Sequence, residues 1–347
     1  VTDAPDDEGP GCPVPFSGYD RVVLAHGGGG RATLRLIESL FLPRFDSPEL
    51  REANDGAVIA LEGPLAVTTD AFTVRPLFFP GGDIGSLAIH GTVNDLACCG
   101  ARPEVCTVSF VLEEGLPLAT LDRIARSMAE AARACGVRIV AGDTKVVERG
   151  RGDGVYVSVT GLGRVRERLA PSRVRPGDAV IVSGPVGDHG VAVLVAREDV
   201  RLGSEVRSDS GEIASLVHAL FDEGVRLHAV RDPTRGGLAT VLCEVARTAG
   251  VSITLDEPAV PVRPGVADAC ELLGLDPLYV ACEGRAVLFV DPADAARALE
   301  VARRFEPGAA LVGRTSNSPA GTVIARGPFG GERVLDLLSG EQLPRIC

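Results

Sequence analysis

Four aspartates of the first half each stand at a strand end or on a largely apolar helix: Asp55 in "NDGAV", Asp70 in "TTDAF", Asp95 in "VNDLA" and Asp143 in "GDTK". Any one of them alone reads as a helix cap or a turn former. As a set they read differently, because an unpaired carboxylate is costly to bury and several near one another cost more unless cations share the site. Oxygen donors of this kind suit Mg²⁺, which keeps several waters and commonly arrives with a polyphosphate. In "RDPTRGGLA", Asp232 and Thr234 precede a Gly-Gly that opens a helix, and free N–H groups at a helix N-terminus favour an anion. An N-cap with a Pro-led turn accounts for the same residues equally well.

Lys145 follows the acidic turn in "GDTKVVERG", and Glu283 lies between "LYVAC" and a glycine. Either reads as a salt-bridged structural charge; in a partly desolvated cleft, either has a shifted pKa and can move protons. Cys347 closes "LPRIC" as the last residue, with nothing after it to bury or shield the thiol. "AHGGGGRAT" lacks both the Lys-Ser/Thr ending of a P-loop and the dinucleotide-binding spacing, so it reads as a flexible turn before a helix. "PFGGERV" reads as a hairpin turn. The five histidines show no ligand spacing or triad and are read as structural or substrate-contacting.

These residues need a scaffold, and the chain is long enough to supply one: 347 residues allow two domains, each with its own core. No apolar run approaches the roughly 18 to 20 residues of a membrane helix, which predicts a soluble protein with no part in the bilayer. A net charge of −12 without a basic run or a stacking surface argues against nucleic acid as a ligand. An anionic ligand would need a metal escort. Nine cysteines without a C-x-x-C pair or zinc-type spacing point to a reduced, cytoplasmic chain. Most sit in apolar surroundings and read as small buried hydrophobes, Cys347 excepted. Residues 1–20 are rich in Pro, Gly and Asp, carry no secretion signal, and read as a disordered tail.

Beyond them the pattern alternates. "RVVLAH" (Arg21 to His26) reads as a strand and "ATLRLIESLFLPRF" as a helix broken near Pro43. Strand-like "LAVTTDAF" leads to helical "IGSLAIHGTVNDLACCG" and strand-like "EVCTVSFVL". The helix "LPLATLDRIARSMAEAARACG" then precedes a short strand, "VRIVAG". The Pro- and Arg-rich interval Arg164 to Asp178 reads as a linker, after which "AVIVSG" opens a second α/β series. We therefore expect an α/β (α+β) protein of two domains, 21–165 and 166–338, followed by a mobile tail, 339–347.

Taken together, "FFPGGDIG", "GTVNDLA", "GDTKVVERG", "GDHG", "RDPTRGGLA", "CELLGLDPLYVACEGR" and terminal "PRIC" resemble the HypE family of hydrogenase maturation proteins. That family belongs to the superfamily of aminoimidazole ribonucleotide synthetase and selenophosphate synthetase, and the likeness runs from about Val22 to Cys347. The resemblance implies a homodimer in which N-terminal domains pair their sheets, with ATP against the acidic motifs. It implies ATP-dependent dehydration of a carbamoyl group on the terminal cysteine to a thiocyanate, which supplies the cyanide ligand for the iron of [NiFe] hydrogenase. The implied carbamoyl donor is the carbamoyltransferase HypF, and the implied cyano acceptor is the HypC–HypD complex. By motif, Asp55, Asp95, Asp143 and Asp232 match metal and phosphate positions, with Asp70, Asn94, Gly142 and Thr144 beside them. One departure is "NDGAV", where neutral Asn54 precedes Asp55 and many relatives carry paired acids.

This chemistry suits the residues. Oxide is a poor leaving group, and phosphorylating the carbamoyl oxygen makes it a good one; a base must then take the nitrogen protons. Lys145 and Glu283 are the candidates for acting on the amide, with their roles open. A superfamily kinase or synthetase using a free small molecule, and a non-catalytic thiol carrier, are the competing readings. A tail from Ser339 spans at most about 30 Å when extended, enough to enter a cleft or to visit a partner. Pro344 would stiffen it and Arg345 would anchor it.

Overall fold

The computed structural model describes residues 19–52, 54–198, 205–338, 340 and 346–347. In the N-terminal half, strands β1 (Leu65–Phe72), β2 (Ala101–Glu113), β3 (Arg138–Val147) and β4 (Val155–Val165) form one sheet in the order β1-β4-β2-β3. β2 and β3 are parallel and the other pairs antiparallel, because helix α2 (Leu118–Ala134) carries the chain across between β2 and β3. Side chains alternate between a core face and an outer face: Val155, Val157 and Val159 of β4 are buried, while Tyr156, Ser158 and Thr160 are only half-buried.

The core face is covered by α1 (Ile84–Cys98), which packs against α2. Asp83 caps α1, its carboxylate accepting the Gly85 and Ser86 N–H groups. Such a cap is worth about 1 kcal/mol. Apolar residues lie all around α1, as expected of a helix enclosed on every side. Neither Asn94 nor Asp95 faces open solvent there: Asn94 is buried and Asp95 half-buried.

Two expectations near the start do not hold. Arg21 to His26 is no strand: Arg21 makes an isolated bridge to Pro117, and residues Leu24–Gly27 form a 3₁₀ turn. The His26 ring explains the difference, since its Nδ1 accepts the Val23 N–H at 3.1 Å and diverts the backbone from pairing. The helix expected to break near Pro43 instead continues through a widened π turn, Ile37–Phe41, into Leu42–Phe45. Widening accommodates a proline that offers no N–H and crowds the preceding turn.

The C-terminal half holds β5 (Ala179–Val182), β6 (Leu227–Arg231), β7 (Ser252–Asp256), β8 (Val287–Val290), β9 (Ala310–Ser316), β10 (Val323–Arg326) and β11 (Glu332–Leu335). They form a mixed sheet in the order β11-β10-β7-β9-β5-β8-β6. Every residue of β5 and β8 is buried, as for central strands covered on both faces. Helices α3 (Asp188–Glu198), α4 (Ala214–Asp222), α5 (Gly237–Ala249), α6 (Pro264–Leu273) and α7 (Ala295–Phe305) accompany it. The "PFGGERV" stretch lies in the β10–β11 hairpin, as expected.

The halves share one apolar core. Val108, Phe110 and Val159 of the first sheet, Ile181 and Leu288 of the second, and Ile346 near the chain end belong to a single buried cluster. The end of the tail is therefore seated in the seam, one of the positions its length allows. Ile346 is 4% exposed and Cys347 is half-buried, because an isoleucine offered a seam between two domains gains more from burial than from water. Pro344 and Arg345, the expected stiffener and anchor, lie outside the described residues, as do nearly all of residues 1–20.

Candidate functional site

Cys347 stands in a cavity of about 320 Å³ at the seam, lined also by Asp70, Asp95, Asp232, Thr234, Arg235 and Glu283. Four elements bring these groups together. Asp70 comes from edge strand β1, on the same face as Thr68, and the Thr68 hydroxyl donates to Asp95 Oδ2 at 2.6 Å. Asp95 comes from the last turn of α1. Asp232 directly follows β6, and Glu283 precedes β8, the strand paired with β6. The Cys282 N–H donates to the Pro233 carbonyl at 2.9 Å and so locks the two loops together.

Asn94 performs a different task from its neighbour. Its amide nitrogen donates to the Gly211 carbonyl at 2.9 Å and the Glu283 carbonyl at 3.2 Å, and its Oδ1 accepts the Ile213 N–H at 2.8 Å. Consecutive helix residues point about 100° apart, so one turn of α1 both presents an acid to the cavity and ties down the loop carrying Glu283. The Gly-Gly of "RDPTRGG" permits the approach on the other side. Gly237, at φ +63°, begins α5 where any Cβ would stand 2.6 Å from the Leu278 carbonyl oxygen.

The cavity is electrostatically strained toward neutrality. Asp70 is pushed up to about 7, by burial first and then by repulsion from Asp95 and Asp232. Asp232 is pushed up to about 6, by burial and then by Asp95. Glu283 is 2% exposed and raised well above the carboxylate range, again chiefly by burial. Its Oε1 has no hydrogen-bond partner among the described residues. Burial pushes the Cys347 thiol up to about 12, and Glu283 adds to the shift, while Arg235 opposes it. Arg235 places a guanidinium nitrogen 3.6 Å from Cys347 Sγ. Among the described residues no three acid, His or Cys side chains stand close enough to cage a metal by themselves. The chemistry of the donor set still fits a hydrated divalent cation, since carboxylates that repel one another gain from a shared positive charge.

The remaining sequence candidates lie elsewhere in the chain. Asp143 and Lys145 are on β3, and Lys145 Nζ stands 3.2 Å from Asp143 Oδ2 with both side chains more than half exposed. The register runs from Asp70 through Val159 and Val108 to Gly142, three strand spacings or about 14 Å across the sheet. Asp143 and Lys145 also face outward, whereas Thr144 between them is buried. Asp55 is exposed in the segment before β1, its N–H bonded to the Asn54 side chain at 2.9 Å. One chain thus joins Asp70, Asn94, Asp95, Asp232, Glu283 and Cys347, and leaves Asp55, Gly142, Asp143 and Lys145 apart.

Arg235 and His189 were not singled out from the sequence, although both lie inside quoted motifs. The cue available for Arg235 was its place between Thr234 and the Gly-Gly. Nothing local distinguished His189, whose Nε2 stands 2.6 Å from the Ile346 carbonyl oxygen.

The comparisons agree with this architecture. Residues 53–165 match the AIR synthase related protein N-terminal domain, and residues 175–326 match its C-terminal domain. The carbamoyl dehydratase HypE of Cupriavidus necator is 50% identical, over 94% of this chain and 95% of its own length. A crystal structure of hydrogenase maturation protein HypE in complex with ATP shares 46% identity, with a TM-score of 0.91 over 94% of this chain and 99% of the other. A chain in a crystal structure of a HypE–HypF complex gives 42% identity and a TM-score of 0.76, covering 87% of this chain and 99% of the other. The chain belongs to the AIR synthase-related proteins and, within them, to the HypE carbamoyl dehydratases.

Proposed function

We propose that this protein is an ATP-dependent carbamoyl dehydratase of [NiFe] hydrogenase maturation, with Cys347 as the carrier of the group it transforms. The observation that carries the reading is the seating of Cys347 in the cavity formed by Asp70, Asp95, Asp232 and Glu283. A thiol there is poorly placed as a nucleophile, since burial keeps it protonated. It is well placed as the tether of a neutral S-carbamoyl group, which loses little by leaving water.

The carbonyl oxygen of Cys347-S-C(=O)-NH₂ attacks the γ-phosphorus of ATP. ADP leaves, and one nitrogen proton is lost to give S-C(=NH)-O-phosphate. The second nitrogen proton then goes to a base, the C–O bond breaks, phosphate departs and S-C≡N remains. Overall, the S-carbamoyl group and ATP become thiocyanate, ADP and phosphate. Glu283 is the proposed base: a carboxylate whose pKa burial has raised is a strong proton acceptor once ionised. Arg235 supplies positive charge beside the sulfur, where the phosphate ester would form. Asp95 and Asp232 are the proposed holders of Mg²⁺, which would screen the polyphosphate during transfer.

Asp143 and Lys145 enter this scheme from a second chain. The outer face of the first sheet carries Leu65 and Val67, 46% and 67% exposed, beside Thr69, Ser109 and Thr160. We take this face as the homodimer surface, with pairing that brings Lys145, Asp143 and Asp55 of one subunit toward the edge of β1 in the other. The carbamoyltransferase HypF is the proposed carbamoyl donor and HypC–HypD the proposed acceptor. A reducing cytoplasm suits a free thiol carrier, and the eight described cysteines are all free. No helix among the described residues is long and apolar enough to cross a membrane.

Mass spectrometry of the C-terminal peptide tests the reading, after incubation with the carbamoyl donor and Mg-ATP. A gain of the carbamoyl mass followed by loss of one water is expected. A carbamoyl group that persists through ATP turnover overturns it.

A further inference from the structure

We propose that His189 is the clasp of the C-terminal tail, a positioning residue that holds the peptide carbonyl next to Cys347 and thereby aims the reacting group at Glu283. His189 lies in the first turn of α3, fully buried, with Nε2 2.6 Å from the Ile346 carbonyl oxygen. Its Nδ1 is 2.8 Å from Ser208 Oγ. Burial lowers its pKa, so the ring is neutral and carries one donor and one acceptor. A carbonyl can only accept, so Nε2 must hold the proton, and Nδ1 must then accept from the Ser208 hydroxyl. Ser208 Oγ in turn accepts the Ser210 N–H at 3.0 Å.

The clasp is braced from both domains. The Phe79 ring meets the imidazole edge-on, with centroids 5.4 Å apart, and the Ser208 N–H donates to the Pro80 carbonyl at 2.8 Å. Neither contact involves the tail, so the ring is oriented before the tail arrives. When the tail leaves, a buried N–H loses its partner, and unmet donors in such places are costly. The side chain of Ile346 fills the apolar seam and fixes depth, while the bond to its carbonyl fixes rotation about the last residue. Among the described residues, the Ile346 side chain and its main-chain carbonyl hold the tail without using the substituent on sulfur, which is left free to change from carbamoyl to cyano. The consequence for turnover rests on the dehydratase reading; the docking itself does not.

The test uses the full-length protein with His189→Ala, His189→Gln and Ser208→Ala. Capture of Cys347 by iodoacetamide, followed on the C-terminal peptide, is expected to quicken about five- to tenfold in His189→Ala, the worth of one hydrogen bond near 1 kcal/mol. It should return toward the parent rate in His189→Gln, whose amide can donate. Ser208→Ala, which leaves the ring in place but unoriented, should fall between them and serves if His189→Ala does not fold. In single-turnover assays of the S-carbamoyl protein, dehydration should slow by a similar factor while carbamoyl loading does not slow. Unchanged capture in a folded His189→Ala protein overturns the proposal. So does a parallel rise in labelling of buried Cys106, which would show general loosening. A parent protein that docks its tail but performs no dehydration would refute the dehydratase reading and leave the clasp standing.

Discussion

Two acidic regions of this protein contain the same residue types in opposite surroundings. At the seam, Asp70, Asp232 and Glu283 are withdrawn from water and hold their protons far more tightly than free carboxylates. On the outer sheet face, Asp143 and Lys145 form an ordinary exposed pair. The seam has paid desolvation in advance and is primed for chemistry on a neutral group. The outer pair has paid nothing, and it becomes part of a site only if another surface covers it. Composition alone does not separate the two cases; the packing around each does.

The sharpest test acts on the seam. Cys347→Ser should abolish thiocyanate formation while Mg-ATP binding, measured by calorimetry, survives. Glu283→Gln should load carbamoyl normally but dehydrate it about 10²- to 10⁴-fold more slowly, the usual loss when a positioned base is removed. Carbamoyl-peptide mass would then accumulate, and its absence would remove Glu283 from the proton-transfer role.

The next test bears on the outer face. Lys145→Ala and Glu283→Gln proteins are each expected to be inactive, yet mixing and re-equilibrating them should restore activity, because one site of each mixed dimer then has both residues. If mixing restores nothing, Lys145 does not act across subunits and the two regions are functionally separate.

A pH series should also divide them. Asp70 has its folded pKa raised to about 7 from an ordinary value near 3.8, so its contribution is fully present below pH 3.8 and is lost as pH rises toward about 7. Thermal melting of the ligand-free protein should therefore decline across that window, Asp70→Asn should flatten the slope, and Mg-ATP should offset it. The smallest effect belongs to the exposed pair: Lys145→Ala should shift stability in urea by under about 0.5 kcal/mol, since an exposed ion pair contributes little. A larger loss would mean that subunit pairing desolvates this pair as well as bringing it to the edge of β1, since a buried pair costs more to break.

Much of the scaffold was legible because its signals are local. Leu121, Ile124, Met128 and Ala132 recur at helical spacing and are buried on α2, and strand-like "LAVTTDAF" is strand β1. The error at Arg21 to His26 arose where one imidazole nitrogen outcompeted a strand, an interaction that hydrophobic periodicity does not report. Asp70 and Asp95 were legible as acids in apolar company, and Asp232 as an acid ahead of a Gly-Gly that opens a helix. Arg235 and His189 were not, because a guanidinium beside a sulfur and an imidazole on a main-chain carbonyl become meaningful only once the chain's end is in place.

By itself the sequence determined the alternating architecture, the family and the set of groups available for chemistry, since periodicity, turn residues and motif spacing act over a few residues each. Tertiary structure decided which of those groups meet. Asp70, Asp95, Asp232, Glu283 and Cys347 are separated by as much as 277 positions, yet they converge because two sheets and α1 close around one apolar seam. That same closure raises their proton affinities, because desolvation and mutual repulsion depend on distance through space. The seam also turned the terminal cysteine from an apparently unprotected thiol into a seated one, by burying the isoleucine before it.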